Sequence, residues 1–389
     1  MKRSTIIIIV CISLLTQSGC SSRAGVLSNS MELENLRLVQ TMGFDTDEAG
    51  IRLSASTGTI DADGGKVLVS RPGETVAKAM ESVQRYVPDG RLYFSHSLFV
   101  VISEELAREG VDVILDYMQR DAHMRMDTGF LVLKNGTVED LMNAYGEDED
   151  ITEALESIKR DLSQQGENHI FDFRETAIAL SERGCALICA LRSSSAGASV
   201  LTGDVESVAL TDGYGILRDG KLVGYVDPGW DSLVVGLIRG YLRSAVMTVP
   251  DGVGRASLES SSSNYKVTPR WAPDGGLESI DLHVELGAAV ISLEDTDADT
   301  SDAAFLEKLA RELEAHITEH LGSVIRLQQE LDADFLDFTT PLRISGGQRF
   351  YDLPRDWIAT TPVTFSVRCR IDHSYDVSGT TNTGGGGGK

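Results

Sequence analysis

In the first half of the chain, the spacing of apolar residues switches several times between the period of a strand and that of a helix. Residues 51–55 alternate apolar and polar side chains, the period of a half-buried strand, whereas apolar residues recur at helical spacing over 76–83. The same criteria predict strands at 36–44, 67–69, 92–102, 130–133 and 185–191. They predict helices at 103–118, 151–163 and 175–183, the last ended by Gly184, and a short helix capped by Thr137 with Asp140. This alternation favours a mixed α/β architecture.

The second half has longer patterns. Asp219-Gly220 is the dipeptide favoured in type I′ turns, which predicts a hairpin over 215–224. Residues 253–293 indicate strands with turns at Ser260–Ser263 and Pro273–Gly276. One apolar stripe continues from 302 to 335, which predicts a single long helix, and a strand follows at 363–371. We therefore expect an α/β (mixed α+β), multi-domain protein, with mixed sheets flanked by helices and one long helix in its C-terminal domain.

The first 19 residues are typical of a secretory signal peptide. Lys2 and Arg3 precede an apolar core of about 10 residues, which is too short to span a bilayer. Ser18-Gly19 directly before Cys20 has the form of a bacterial lipobox, although Gln17 stands where Leu is usual. The sequence thus predicts a lipidated Cys20 followed by a polar tether over residues 20–30. Ordinary secretion, with Cys20 as a chance thiol, is the alternative.

Charge narrows the classes of partner. The chain has 59 acidic and 35 basic residues, a formal charge of −24. With Lys2 and Arg3 removed, 33 basic residues remain and the charge becomes −26. A body so acidic disfavours nonspecific binding to nucleic acid and is repelled by anionic lipid. An attached lipid would then be what holds it at a membrane.

The cysteines do not predict a disulfide framework. Cys11 lies in the signal peptide and Cys20 at its end, which leaves an odd number in the body: Cys185, Cys189 and Cys369. On a strand, the side chains of Cys185 and Cys189 would lie roughly 13 Å apart, too far for a disulfide or a shared zinc ion. We expect small apolar core residues.

Two patterns suggest metal chemistry but lack support. His316-Ile-Thr-Glu319-His320 has the H-x-x-E-H form of one class of zinc peptidase. On a helix, however, Glu319 falls about 140° from the centre of the apolar stripe, toward solvent. The acidic runs 45–50 and 295–300 resemble parts of an EF-hand loop, and neither has the full set of ligand positions. Solvated turns are the simpler interpretation.

Other catalytic motifs are missing from the sequence. It contains no phosphate-binding glycine pattern and no G-x-S-x-G nucleophile turn. His96 follows a strand-like run and could act as a base, but a hydrogen-bonded structural histidine is the commoner case. We expect no catalytic residue, no cofactor and no metal.

Several segments, in order, resemble the Ger(x)C family, the lipoprotein subunit of spore nutrient-germinant receptors. The resemblance rests on the first strand through Gly43-Phe-Asp45, on Leu92–Arg108, and on further segments toward the C-terminus: Arg120-Asp121, Arg125, 220–225, 328–334, Trp357 and the closing strand through Gly379. The family often has Trp-Asp soon after the lipidated cysteine, where this chain has Ser21-Ser22. The resemblance covers most of the mature chain, and it carries over no catalytic residue.

The resemblance implies a domain order and a place of action. Residues 31–200 would form an N-terminal germination-protein domain, with a subdomain seam near 146, residues 201–376 a C-terminal one, and 377–389 a flexible glycine-rich tail. The protein would be a noncatalytic, lipid-anchored subunit at the outer face of the inner spore membrane, beside two membrane-embedded receptor subunits. It would help to couple nutrient sensing to the start of germination. Two alternatives are a substrate-binding lipoprotein of an importer and a metallohydrolase built on His316, Glu319 and His320.

Overall fold

The computed structural model describes most of the body of the chain. The described residues are 36–57, 66–87, 91–145, 150–166, 168–195, 208–250, 255–294 and 299–372. The signal peptide, Cys20, the tether, the seam at 146–149, the division at residue 200 and the tail at 377–389 lie outside them. Within them the chain forms two mixed sheets with helices, so the predicted mixed α+β fold is confirmed.

The first sheet has nine strands, and its order is β3-β2-β1-β5-β6-β7-β8-β9, with β4 beside β1. Strands β1, β5, β6 and β7 pair in parallel, and antiparallel strands extend the sheet at both ends. The strands are β1 (Leu36–Asp47), β2 (Gly50–Thr57), β3 (Leu68–Gly73), β4 (Arg91–Tyr93), β5 (Phe99–Ser103), β6 (Gly129–Lys134), β7 (Cys185–Ser194), β8 (Val208–Arg218) and β9 (Lys221–Val226).

Helices cover this sheet, and polar side chains fix their starts. Ser103 and Thr137 accept hydrogen bonds from the amides of Leu106 and Asp140, as the sequence predicts. Asp172 forms a capping box with Glu175. The helices are α1 (Val76–Arg85), α2 (Glu104–Glu109), α3 (Asp112–Arg120), α4 (Val138–Asn143), α5 (Ile151–Gln165) and α6 (Phe173–Arg183).

Two predicted elements are broken in the structure. The strand expected over 92–102 divides into β4 and β5, with a 3-10 turn at Phe94–His96 between them. The helix expected after Ser103 stops at Gly110, whose φ of +148° is not helical, and α3 begins in a new register. As a result Val113 is 53% exposed, whereas Ile114 is buried.

The central strands of the first sheet are buried along most of their length. Every residue of β5 is buried, as are the first five of β6 and the first seven of β7. Separate apolar clusters lie on its two faces, as expected for parallel strands covered on both sides. Cys185 and Cys189 are buried free thiols on β7, which confirms their predicted place on a strand.

The second sheet has the order β10-β11-β12-β13 and packs against a long helix. Strand β13 (Val363–Asp372) pairs in parallel with β12 (Leu277–Glu294), so the long helix α8 (Ala303–Glu330) lies in the crossover between them. Its elements, with the helices around them, are β10 (Val246–Pro250), β11 (Arg255–Trp271), β12 (Leu277–Glu294), β13 (Val363–Asp372), α7 (Trp230–Ile238), α8 (Ala303–Glu330), α9 (Thr339–Gly346), α10 (Gln348–Tyr351) and α11 (Trp357–Thr360).

Two details of the second half correct the prediction. Ser260–Ser263 is no turn: it lies inside β11, where the register against β12 shifts between Ser260 and Ser262. The long helix ends at Glu330 rather than near 335, because Asp332 has a φ of +47°. The turn at Asp219-Gly220 has the two positive φ angles that type I′ requires.

One apolar core joins the two sheets. Strands β8 and β9 belong to the first sheet, although they follow residue 200. Tyr214, Ile216 and Val226 on these strands pack in the same buried cluster as Leu258 on β11 and Leu321 on α8. Strands β8 and β9, at the end of the first sheet, therefore form part of the apolar core on which the second sheet packs.

Candidate partner-binding site

A large cavity lies in the first half of the chain. It has a volume of about 770 Å³ and is lined by α1, β4, the 3-10 turn and the end of α3, with Leu36 at its edge. A neighbouring cavity of about 440 Å³ between α1 and α3 shares Ala77, Tyr117 and Asp121 with it. We call the two together the N-terminal groove.

Local structure explains why aromatic side chains line this groove. The Leu92 amide donates to Gln84 Oε1 at 2.9 Å, which holds β4 against α1 with Leu92 buried. Tyr93 then points outward and is 37% exposed. The 3-10 turn closes where Ser97 Oγ donates to the Phe94 carbonyl at 2.8 Å. Two consecutive aromatic residues, Tyr93 and Phe94, therefore reach a concave surface.

Paired charges surround the apolar floor of the groove. Glu81 on α1 forms ion pairs with Lys78 and Arg85. The Tyr117 hydroxyl donates to Asp121 at 3.1 Å, and burial together with this carboxylate raises the pKa of Tyr117 to about 12. Tyr117 thus remains a hydrogen-bond donor at neutral pH. An apolar centre with a polar rim is typical of protein-binding surfaces.

Segments that are far apart in the sequence meet in the groove. Leu92–Ser95 and Asp121, both within the segments that carry the family resemblance, line its larger cavity. Arg120 pairs with Asp116 at 2.8 Å and Arg125 with Asp127 at 2.6 Å. His96, considered above as a base, is exposed beside the groove with its ring 6.0 Å from that of Tyr93.

Gly43 and Asp45 have a different, structural role. Asp45 is 2% exposed, and its two oxygens accept the amides of Val138 at 2.7 Å and Glu139 at 3.1 Å. Burial raises the pKa of Asp45, although these hydrogen bonds act to lower it. A Cβ at Gly43 would lie 2.5 Å from Val138 Cγ1. Gly43 therefore allows the start of α4 to pack closely on β1, and Asp45 binds the first backbone amides of that helix.

The acidic runs considered for calcium are engaged in turns. Asp47 accepts the Ala49 amide and pairs with Arg52 at 2.7 Å. Asp299 accepts the amide of Ser301, and residues 295–298 lie outside the described residues. Among the residues that the structure describes, no group of three or more His, Cys, Asp or Glu side chains is arranged to hold a metal ion.

The H-x-x-E-H segment lies on α8 against an aromatic ring. Trp230 stacks on His316 and on His320, with ring centroids 5.2 and 5.9 Å away. His320 Nδ1 lies 2.6 Å from a carboxylate oxygen of Asp231, and Glu319 is exposed. The two imidazoles thus pack parallel to the indole, and Asp231 is a partner that sequence spacing did not reveal.

The body cysteines are buried and poorly reactive. Burial raises the pKa of Cys189 and of Cys369 to about 12, and that of Cys185 further. Cys20 lies outside the described residues. In the part of the chain that the structure describes, no helix is long and apolar enough to cross a bilayer.

Comparisons with known proteins match nearly the whole body. Residues 29–193 match the model described as spore germination protein N-terminal domain, and residues 212–375 match spore germination B3/GerAC like, C-terminal. Spore germination protein KC of Bacillus subtilis (strain 168) is 39% identical over 70 residues, 18% of this chain and 16% of that relative's length. The crystal structure of the GerBC protein has a TM-score of 0.55 at 16% identity, covering 85% of this chain and 96% of that one, which shows the shared fold. The chain belongs to the family of GerAC-like spore germination proteins.

Proposed function

We propose that this protein is a noncatalytic, lipid-anchored subunit of a spore nutrient-germinant receptor. In this proposal residues 1–19 are removed, Cys20 carries the lipid, and residues 31–200 and 201–376 form the two halves of the body. The protein acts at the outer face of the inner spore membrane, beside two membrane-embedded subunits. It helps to couple nutrient sensing to the start of germination. The family match favours this function over an importer's binding protein.

The position of the N-terminal groove is the observation that carries the proposal. Leu36 lines the groove, and fifteen residues separate it from Cys20 in the sequence. Even a fully extended chain of that length spans only about 55 Å. A lipid on Cys20 therefore keeps the groove close to the bilayer, where a membrane-embedded subunit can reach it.

The anchor also explains how a modest surface suffices. Without the lipid, the acidic mature chain would be repelled by an anionic membrane. When the lipid holds the protein at the membrane, its effective concentration near a membrane-embedded partner is close to millimolar for a short linker, so weak docking is enough. The exposed Tyr93 and the half-buried Phe94 are then suited to act as aromatic anchors for an apolar segment of the partner.

Two matched substitutions test the docking surface. Tyr93 in the groove is 37% exposed and Tyr265 on β11 of the second sheet is 42% exposed, so Tyr93→Ala and Tyr265→Ala remove similarly exposed side chains from different sheets. We expect Tyr93→Ala to remain in the membrane fraction but to lose about tenfold in co-purification with its receptor subunits. Tyr265→Ala should behave as the wild type. Equal losses, or none at Tyr93, would contradict docking in the groove.

A third variant tests the anchor. Cys20→Ala should leave the protein without lipid by mass spectrometry, release it from the membrane fraction and slow nutrient-triggered germination. If germination is unchanged when the whole gene is deleted and no paralogue compensates, the receptor function itself is wrong.

A further inference from the structure

A third cavity lies where the two sheets meet. It has a volume of about 210 Å³, and its walls come from α6 and β7 on one side and from the segments around α7 and α8 on the other. Phe171, Tyr241 and Phe335 provide aromatic walls, whereas Thr176, Arg183 and Arg239 provide polar groups. We call it the junction cavity.

Two largely buried arginines line this cavity and share one carboxylate. Nη1 of Arg183 and Nη1 of Arg239 lie 3.2 and 3.0 Å from the same oxygen of Asp337. The two arginine side chains are only 10% and 14% exposed. The Nε atom of each is buried and has no hydrogen-bond partner in the described part of the chain. Each guanidinium thus keeps a donor unused.

Thr176 adds a third unused polar group. The residue is 1% exposed, and its hydroxyl is likewise unpartnered among the described residues. Leaving buried polar groups unpaired is costly, and native proteins do so rarely. Glu175 also lines the cavity, but its carboxylate already accepts the Asp172 amide at 2.9 Å and lies 3.5 Å from His169 Nε2.

We propose that the junction cavity binds a small organic acid. Binding turns the side chains of Arg183, Arg239 and Thr176 toward the ligand, so that its carboxylate accepts hydrogen bonds from the two guanidinium groups and from the Thr176 hydroxyl, while its apolar body packs on Phe171 and Phe335. Arginine is suited to carboxylates because its donors are fixed in a plane and always charged. The aromatic walls favour an acid with an apolar body over inorganic phosphate.

The ligand would contact both halves of the body. Thr176 and Arg183 lie on α6 in the segment that matches the N-terminal family model, whereas Arg239 lies in the segment that matches the C-terminal one. Binding would therefore favour the arrangement of the two halves that closes the cavity. This inference does not depend on the proposed receptor function, because it concerns binding by the body alone.

Titration calorimetry of the full-length chain in detergent tests the site. The probes are propionate, L-alanine, inorganic phosphate and propionamide, which has the shape of propionate without its charge. We expect at least one of the two acids to bind with a dissociation constant of about 1 mM or tighter, and propionamide and phosphate at least tenfold more weakly. Failure of both acids to bind, or equal binding of propionamide or phosphate, would overturn the proposal.

Thr176→Val separates a binding role from a structural one. The change removes an unpartnered hydroxyl, so we expect the melting temperature of the ligand-free protein to stay the same or rise, and acid binding to weaken about fivefold or more. Ser56→Ala is the matched control, because the Ser56 hydroxyl is also buried and unpartnered among the described residues but lies on β2. Ala179→Leu, which fills the cavity, should abolish binding. Unchanged affinity in both cavity variants would rule the site out.

Discussion

The two sheets differ in how much of each is covered. The first has an apolar cluster on each face, so its central strands have no exposed side. The second packs one face on α8, and β13 alternates between inward and exposed positions along its length. Residues 261–266 of β11 are all exposed. The first sheet is thus covered on both faces, whereas the second sheet has one face open to solvent.

This difference predicts where substitutions are tolerated. Core side chains cover both faces of the first sheet. Neighbouring residues therefore have no room to shift when the volume of a side chain changes. In the second sheet, Ile291 on β12 points away from the core and is 48% exposed. Equivalent changes should therefore cost much more in the first sheet than on the outer face of the second.

The largest effect is expected at Phe130. Its side chain is fully buried on β6 and packs on Phe173 at a centroid distance of 4.5 Å. Phe130→Ala should lower the free energy of unfolding by about 4 kcal/mol in urea titrations. Phe365→Ala on β13, where the ring is only half-buried, should cost about 1–2 kcal/mol. Equal losses would mean that the inner face of β13 is packed as tightly as β6.

The next effect concerns the junction between the sheets. Asp337→Asn removes the charge that Arg183 and Arg239 share, and we expect a loss of about 3 kcal/mol because both guanidiniums are largely buried. Asp332 is the control: it also has a positive φ and pairs with an arginine, but Arg218 is 39% exposed. Asp332→Asn should cost less than about 1 kcal/mol in the same urea titration. A similar loss in the two variants would show that burial of the arginines is unimportant.

A third prediction compares two carboxylates within β1. The pKa of Asp45 is raised by burial, so its folded form holds a proton that the unfolded form releases as pH rises above 3.8. Its contribution to stability is complete below 3.8 and declines as pH rises through the folded pKa. The pKa of Asp47 is lowered, first by the Ala49 amide and then by Arg52, so its contribution declines as pH falls from 3.8 through the folded pKa.

Two variants measure these opposite slopes. Urea midpoints between pH 3 and 7 should show the advantage of wild type over Asp45→Asn shrinking with rising pH. The advantage of wild type over Asp47→Asn should grow instead. Slopes of the same sign would mean that Asp45 is not buried as described.

Local signals in the sequence predicted much of this fold. The caps at Ser103 and Thr137, the helix end at Gly184 and the type I′ turn each depend on a few neighbouring residues. Ser260–Ser263 has the composition of a turn, but β12 supplies backbone partners along it, and that pairing is not local. Short-range sequence signals therefore predicted where helices and strands begin and end better than they predicted which strands pair.

The candidate sites were harder to predict for the same reason. Leu36, Leu92 and Tyr117 share a groove only because α1 and α3 pack beside β4. Arg183 and Arg239 are separated by three strands and a helix and meet at Asp337, which no motif connects with them. Such groups become visible when the fold is known, since spacing along the chain carries no information about them.

The smallest effect is the strictest test of the difference between the sheets. Ile102 on β5 is fully buried and Ile291 on β12 is 48% exposed. Replacing either by Val removes one methylene and keeps the β-branched shape, so strand preference hardly changes. Ile102→Val should lower the free energy of unfolding by about 1 kcal/mol and Ile291→Val by less than about 0.3 kcal/mol, with equal urea m-values. A loss at Ile291 as large as that at Ile102 would mean that something covers this face in solution, and the second sheet would then be closed on both sides like the first.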